Sequence, residues 1–185
     1  SAEALKPVFE QESSRPDRDS AVTLLKSVLR QSTEVFGVST LWEPNAYDGK
    51  DSAYVGKPGY DQTGRFIPYV YRDGSDVAVD ALTGYDQQGT GDYYLIPKET
   101  MKNAILDTFK YQVNGTDKYM TSMVVPLIQN DKFVGMVGED ILIDDLVSGV
   151  KGVTLFNSGY IFMADSKGII FSHHDSSMVG KSLFD

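Results

Sequence analysis

The sequence predicts an α+β fold in which a helix precedes a mostly antiparallel sheet. Three observations predict it. Apolar residues recur at three- and four-residue spacing before residue 32, two pairs of alternating strands are each joined by a four-residue polar turn, and a short helix with an acidic first turn separates those pairs.

Taken in order, residues 1–34 read as one long N-terminal helix. Pro16, Asp17 and Asp19 resemble a helix start, and Val22, Leu25, Val28 and Leu29 share one face. From Val35 to Glu43 the run Val35, Phe36, Val38, Leu41 and Trp42 reads as a strand that ends at the turn pair Pro44-Asn45. Residues 44–64 hold Pro44, Gly49, Gly56, Pro58, Gly59 and Gly64, a density of breakers that predicts a long loop. The strand Arg65 to Arg72 puts Arg65, Ile67, Tyr69 and Tyr71 on one face, and Pro68 is expected to place it near an edge or at a bulge. After a second polar loop, Tyr93 and Tyr94 sit in the short apolar run 91–97. Met120 to Ile128 and Phe133 to Ile143 then form a hairpin turned by Gln129-Asn130-Asp131-Lys132. A short helix begins near Asp144 and Asp145, where the helix dipole favours acid. A last hairpin, Tyr160 to Ala164 with Ile169 to His173, is too small to bury a core of its own. It either extends the first domain or opens a second one.

Composition narrows the function. The 185 residues carry 17 basic and 26 acidic side chains, a net charge of −9, which argues against nucleic acid as a partner. Cysteine is absent, which excludes disulfides, thiolate zinc sites and a thiol nucleophile. No window reaches the roughly 18 apolar residues of a membrane helix. The chain as given is expected to be soluble, with any anchor of its parent lying outside it. Tyrosine occurs 11 times, and ten of these fall between Tyr47 and Tyr119.

Asp140 is the most informative position. It shares parity with Val134, Met136, Gly138 and Leu142, so an acid sits on an otherwise apolar strand face, while Glu139 faces the other way. A carboxylate held there is costly without a partner. That partner is a helix cap, an internal arginine such as Arg65, or a cationic ligand. The first two are the commoner readings; the tyrosines raise the interest of the third, because ammonium groups bind where a carboxylate is flanked by aromatic faces. Tyr69, Tyr71, Tyr93, Tyr94 and Tyr111 are the candidates for those faces, and the single Trp42 and Asp92 complete the candidate set.

Other features are weaker. His173 and His174, adjacent in the last strand, are expected to face opposite ways and to be surface residues. The acidic loops with Asp48, Asp51, Asp73 and Asp76 lack the ligand spacing of a calcium site. Asn114-Gly115-Thr116 fits a glycosylation sequon. No phosphate-binding glycine loop or nucleophile elbow is present, and no cofactor is implied. A hydrolase would need a carboxylate pair across a cleft, which the neighbours Glu139 and Asp140 do not supply.

Several strings, in order, resemble the double Cache sensor domains that form the extracytoplasmic input modules of bacterial methyl-accepting chemotaxis proteins, and of some sensor kinases and diguanylate cyclases. These are EPNAYDGKD (43–51), GRFIPYVYR (64–72), GDYYLIPK (91–98), MTSMVVPL (120–127), KFVGMVGEDI (132–141) and GYIFMADSKGIIFSHHD with VGKSL. The resemblance runs from about residue 20 to the end. It implies a PAS-like membrane-distal module at 35–153, the start of a membrane-proximal module at 154–185, a membrane-anchored parent, a homodimeric full-length receptor and no enzymatic activity. In relatives that bind amino acids, an Arg-x-Trp-Tyr element holds the ligand carboxylate and an Asp in a Gly-x-Asp strand takes the amine. Here the Asp is Asp140 and the aromatic pair is Tyr93-Tyr94, but Gly91 stands at the Arg position. The resemblance therefore implies an amine or quaternary ammonium ligand first and an amino acid next, with Arg65 as a substitute carboxylate contact.

Overall fold

Two helices, not one, precede the sheet. In the computed structural model, which describes residues 2–113, 116–150, 153–156 and 159–184, α1 spans Ala2–Glu10 and α2 spans Arg18–Gln31. A short 3-10 turn, Glu12–Ser14, and Pro16 separate them. Asp17 starts α2 by accepting a hydrogen bond from the Ser20 amide at 2.8 Å, which satisfies a donor that the first turn leaves open. Ala21, Leu25 and Leu29 recur at four-residue spacing and are fully buried.

The strands of the first sheet are β1 (Gly37–Trp42), β2 (Pro68–Asp73), β3 (Asp76–Ala81), β4 (Ala104–Ile105), β5 (Phe109–Val113), β6 (Thr116–Gln129) and β7 (Lys132–Leu142), with helix α3 (Asp92–Thr100) between β3 and β4. The order is β3-β2-β1-β7-β6-β4, and β5 pairs with β6. The β6–β7 hairpin turns at Asn130 and Asp131, both with positive φ, as a two-residue turn requires. By packing, the chain divides into one unit of Ser1–Leu106 with Ser122–Asp140 and another of Asp107–Thr121 with Ile141–Asp185.

In the first unit both helices cover one face of the sheet. Leu5 and Phe9 of α1 and Leu25 and Leu29 of α2 pack on Val38, Trp42, Val70, Val125, Leu127 and Val137. Glu10 fastens the end of α1 to β6: its carboxylate accepts from the Ile128 amide at 2.7 Å and its carbonyl from the Gln129 side chain at 2.6 Å. Arg72 fastens the end of α2. Its guanidinium donates to the carbonyls of Leu29, Ser32 and Val35, while its amide donates to Phe36 O and the Phe36 amide donates to Asp140 O.

The long loop 44–64 is pinned by a charge cluster. Arg18, 2% exposed, donates to Asp48, to Asp51 and to Gly64 O at 2.6–3.0 Å, with Tyr54 stacked 4.1 Å from its guanidinium. Burial works against the charge, but the hydrogen bonds to the two aspartates outweigh it and hold the guanidinium above its usual pKa. Gly64 has φ +68, and a Cβ there would meet Asp51 O at 2.1 Å.

Several expectations need correction. β2 is an interior strand, because residues 76–81, expected as polar loop, form the edge strand β3 beside it. Pro68 is tolerated as the first residue of β2. The run after Gly91 is helical.

The second unit holds α4 (Ile143–Val150), β8 (Thr154–Leu155), β9 (Gly159–Tyr160), β10 (Met163–Ala164) and β11 (Ile170–Ser172). β10 pairs with β11 around a turn at Asp165–Gly168, but Tyr160 pairs with Thr154 instead of extending that hairpin. His173 and His174 follow the end of β11, so strand parity does not separate them. Their ring centroids lie 4.5 Å apart, and Tyr160 packs on both. The sequon lies outside the described residues at positions 114 and 115.

Candidate functional site

The sheet face opposite the helices carries the candidate site. Register places Gly37 opposite Asp140 and Tyr71, and Ser39 opposite Gly138 and Tyr69. Parity then puts Gly37, Ser39, Tyr69, Tyr71 and Asp140 on one face, with Val38, Val70 and Val137 on the other in the core.

Asp140 is partly exposed and bonded to the hydroxyl of Ser122, its neighbour across to β6. Burial raises its carboxyl to a pKa of about 6, although the Ser122 hydrogen bond and the nearby Tyr69 hydroxyl pull the other way. Among the described residues no Lys, Arg or His pairs with it. The Tyr69 and Tyr71 rings stack with centroids 5.2 Å apart, and Phe36 stacks on Tyr71 at 6.4 Å. Tyr71 donates its hydroxyl to Asp80 of β3 at 2.7 Å. The arrangement is a carboxylate without a cation, beside two aromatic faces, with a second carboxylate at the far end of the pair.

The other predicted residues are distributed differently. Arg65 donates to Trp42 O at 2.8 Å and to the Tyr94 hydroxyl at 3.3 Å, and lies 4.9 Å from the Tyr85 ring. Trp42 and Gly37 are five residues apart on β1, which sets the Arg65 anchor about 17 Å along the strand from the residue paired with Asp140. Arg65 is therefore not the internal partner of Asp140. Around it, Tyr94 bonds Glu43, and Lys98 reaches Glu43 at 2.9 Å and Tyr94 at 2.8 Å. Tyr93 is buried and donates to Thr83 O at 2.8 Å. Asp92 accepts from the Gly89 amide in a local turn. Trp42 is fully buried on the helix-covered face, in edge contact with Phe9 and Tyr47 and 4.4 Å below the Arg15 guanidinium. The Tyr111 side chain lies outside the described residues.

Gly37, Ser122 and Asp80 were not singled out by sequence reasoning. The alternation Met120, Ser122, Val124 carries a parity signal for Ser122, whereas Gly37 and Asp80 join the site only through strand register.

Helices on one face of an antiparallel sheet are the architecture here, and the comparisons place it in a class of non-enzymatic ligand-binding sensor modules. The chain belongs to the family described as methyl-accepting chemotaxis protein-like, first PDC sensor domain, whose model matches residues 22–148. Such domains are the extracellular sensor modules of membrane chemoreceptors. The methyl-accepting chemotaxis protein TlpQ of Pseudomonas aeruginosa is 27% identical over 190 residues, covering 90% of this chain and 26% of its own length. The extracellular domain of the putative histidine kinase mmHK1S-Z3 is 32% identical with TM-score 0.84, covering 100% of this chain and 66% of its own. A structure of methyl-accepting chemotaxis protein X shares the fold at 24% identity and TM-score 0.77, over 98% of this chain and 67% of its own. The chain thus spans about a quarter of TlpQ and about two thirds of the solved sensor domains. None of its described helices is long and apolar enough to cross a membrane.

Proposed function

We propose that this domain is the extracytoplasmic input module of a membrane-anchored, homodimeric chemoreceptor, and that it binds a small amine or quaternary ammonium compound at Asp140. The observation that carries the reading is the Asp140 carboxylate, held by the Ser122 hydroxyl with no cation pairing it among the described residues. A ligand ammonium supplies the missing charge, and the stacked Tyr69–Tyr71 pair adds cation–π attraction of about 0.5–2 kcal/mol.

An α-amino acid ranks second. Domains of this fold have been solved as Mlp24 with asparagine, PctC with GABA and PctB with L-Arg, three ligands that each carry an amine and a carboxylate. For the carboxylate, this chain has Gly91 at the position where the resemblance expects Arg, and Arg65 is committed to Trp42 O and Tyr94. Residues 35–153 form the membrane-distal module in this reading, and 154–185 begin the membrane-proximal one. The likeness to a putative histidine kinase domain favours, as a second reading, a parent whose output is a kinase.

A thermal-shift screen of amines, amino acids and organic acids, followed by calorimetry, tests the reading. Amines should stabilise the wild type and fail to bind Asp140→Ala. An amine that binds that variant with unchanged affinity overturns the role of Asp140.

A further inference from the structure

A cavity of about 450 Å³ lies on the other side of the sheet from Asp140, between α2, the long loop and strands β2 and β3. Its floor is Phe66, Pro68 and Val79, and Val22 of α2 closes one side. Pro68 shares parity with Val70, and Val79 is the register partner of Val70, so the floor belongs to the helix-covered face and not to the face of Tyr69. Nothing in the sensor reading uses this space.

Its rim is electrically asymmetric. Lys26 lines the cavity, is half-buried, and makes no ion pair among the described residues. Asp19 lines the same cavity seven residues earlier, about 10 Å along the axis of α2. One cation and one anion thus stand at separated points above an apolar floor, in a space of the size that small ligands occupy.

We propose that this cavity is a second ligand site, for a small monocarboxylate with an apolar body. The carboxylate meets the Lys26 ammonium, and the apolar body covers Phe66, Pro68 and Val79 and removes them from water. Asp19 repels a second anionic group, so a dicarboxylate of the same length is rejected. Because α2 and the loop form opposite walls, an occupant holds them together and stabilises the fold by mass action.

Hexanoate, adipate and 1-hexanol, titrated into the isotopically labelled protein and followed by NMR, test this. Hexanoate should saturate with a Kd of about 1 mM or below and shift the methyl signals of Val22 and Val79. 1-Hexanol and adipate should each bind about two- to fivefold more weakly. Lys26→Met should weaken hexanoate by a similar factor, and Asp19→Asn should admit adipate, a gain that a misfolded variant cannot mimic. Asp140→Asn should leave hexanoate binding unchanged, which separates this site from the amine site. Absence of saturation by about 20 mM hexanoate, equal affinity for hexanoate and 1-hexanol, or loss of hexanoate binding in Asp140→Asn overturns the proposal.

Discussion

The ring of Tyr69 occupies the space that a side chain at Gly37 would fill. A Cβ at position 37 would lie 2.6 Å from the Tyr69 hydroxyl oxygen and 2.8 Å from the carbon that bears it. Gly37 is also the residue opposite Asp140 on the neighbouring strand. The missing side chain is what lets the tyrosine lie down over β1, on the face that carries Asp140. Gly37→Ala is therefore expected to push the ring aside, which a terminal ring can do at modest cost to the fold. Amine affinity measured by calorimetry should fall about tenfold, while stability by urea denaturation should fall by about 1–2 kcal/mol. Unchanged affinity would show that the position of Tyr69 does not matter for binding.

Amine binding should depend on pH with the sign set by Asp140. Its carboxyl titrates at about 6, and only the ionised form attracts an ammonium group. Affinity should be flat between pH 7 and 8 and fall by up to about tenfold per pH unit below 6, with proton release on binding near pH 6. Calorimetry in two buffers of different ionisation enthalpy measures both effects. A flat profile down to pH 5 would contradict the assignment.

The same group carries a stability cost in the free protein. Its folded pKa of about 6 lies above the ordinary carboxyl value of about 3.9, so the folded state binds more protons between those limits. The contribution of Asp140 to stability is present below about pH 4 and lost as the pH rises through 6. Asp140→Asn should therefore be more stable than the wild type at pH 7.5, by an amount on the order of 1–2 kcal/mol, with the difference shrinking towards pH 4. Thermal unfolding at both pH values distinguishes this from a general loss of packing.

Arg18 provides a contrasting case, because its charges are already paired. Arg18→Met would leave Asp51, 5% exposed, without its cation and would release the loop from α2. Removing one partner of a buried pair costs about 3–5 kcal/mol. Equilibrium denaturation should register that loss, and a change under about 1 kcal/mol would mean that the cluster is dispensable.

The turn of the long hairpin offers a gain. Asp131 has φ 59, a conformation that glycine adopts without strain. Asp131→Gly, which creates the Asn-Gly pair favoured in two-residue turns, should raise stability by up to about 1 kcal/mol in a denaturant titration.

What the sequence revealed depended on how local the determinant was. The face of Asp140 followed from strand alternation, and the β6–β7 turn from Asn130-Asp131, because both are properties of a few consecutive residues. Edge strand β3 was hidden by its two aspartates, which read as loop although one of them, Asp80, accepts the Tyr71 hydroxyl. Tyr93 and Tyr94 have strand propensity, yet α3 forms, and their hydroxyls go to Thr83 and Glu43. The partnership of Tyr94 with a glutamate 51 residues away is set by tertiary packing alone. Trp42 illustrates the same limit, since alternation separates the two faces of β1 but does not say which one the helices cover.

The ties around Phe36 have a mechanical consequence. Asp140, Phe36 and Arg72 are joined in series by main-chain bonds of 2.8 and 3.0 Å, and the Arg72 guanidinium grips the carbonyls that end α2. The series consists of direct hydrogen bonds from strand to strand to helix end, with no loop inserted between them. If the proposed ligand displaces the backbone of Asp140, that displacement is expected to reach the end of α2 along this series.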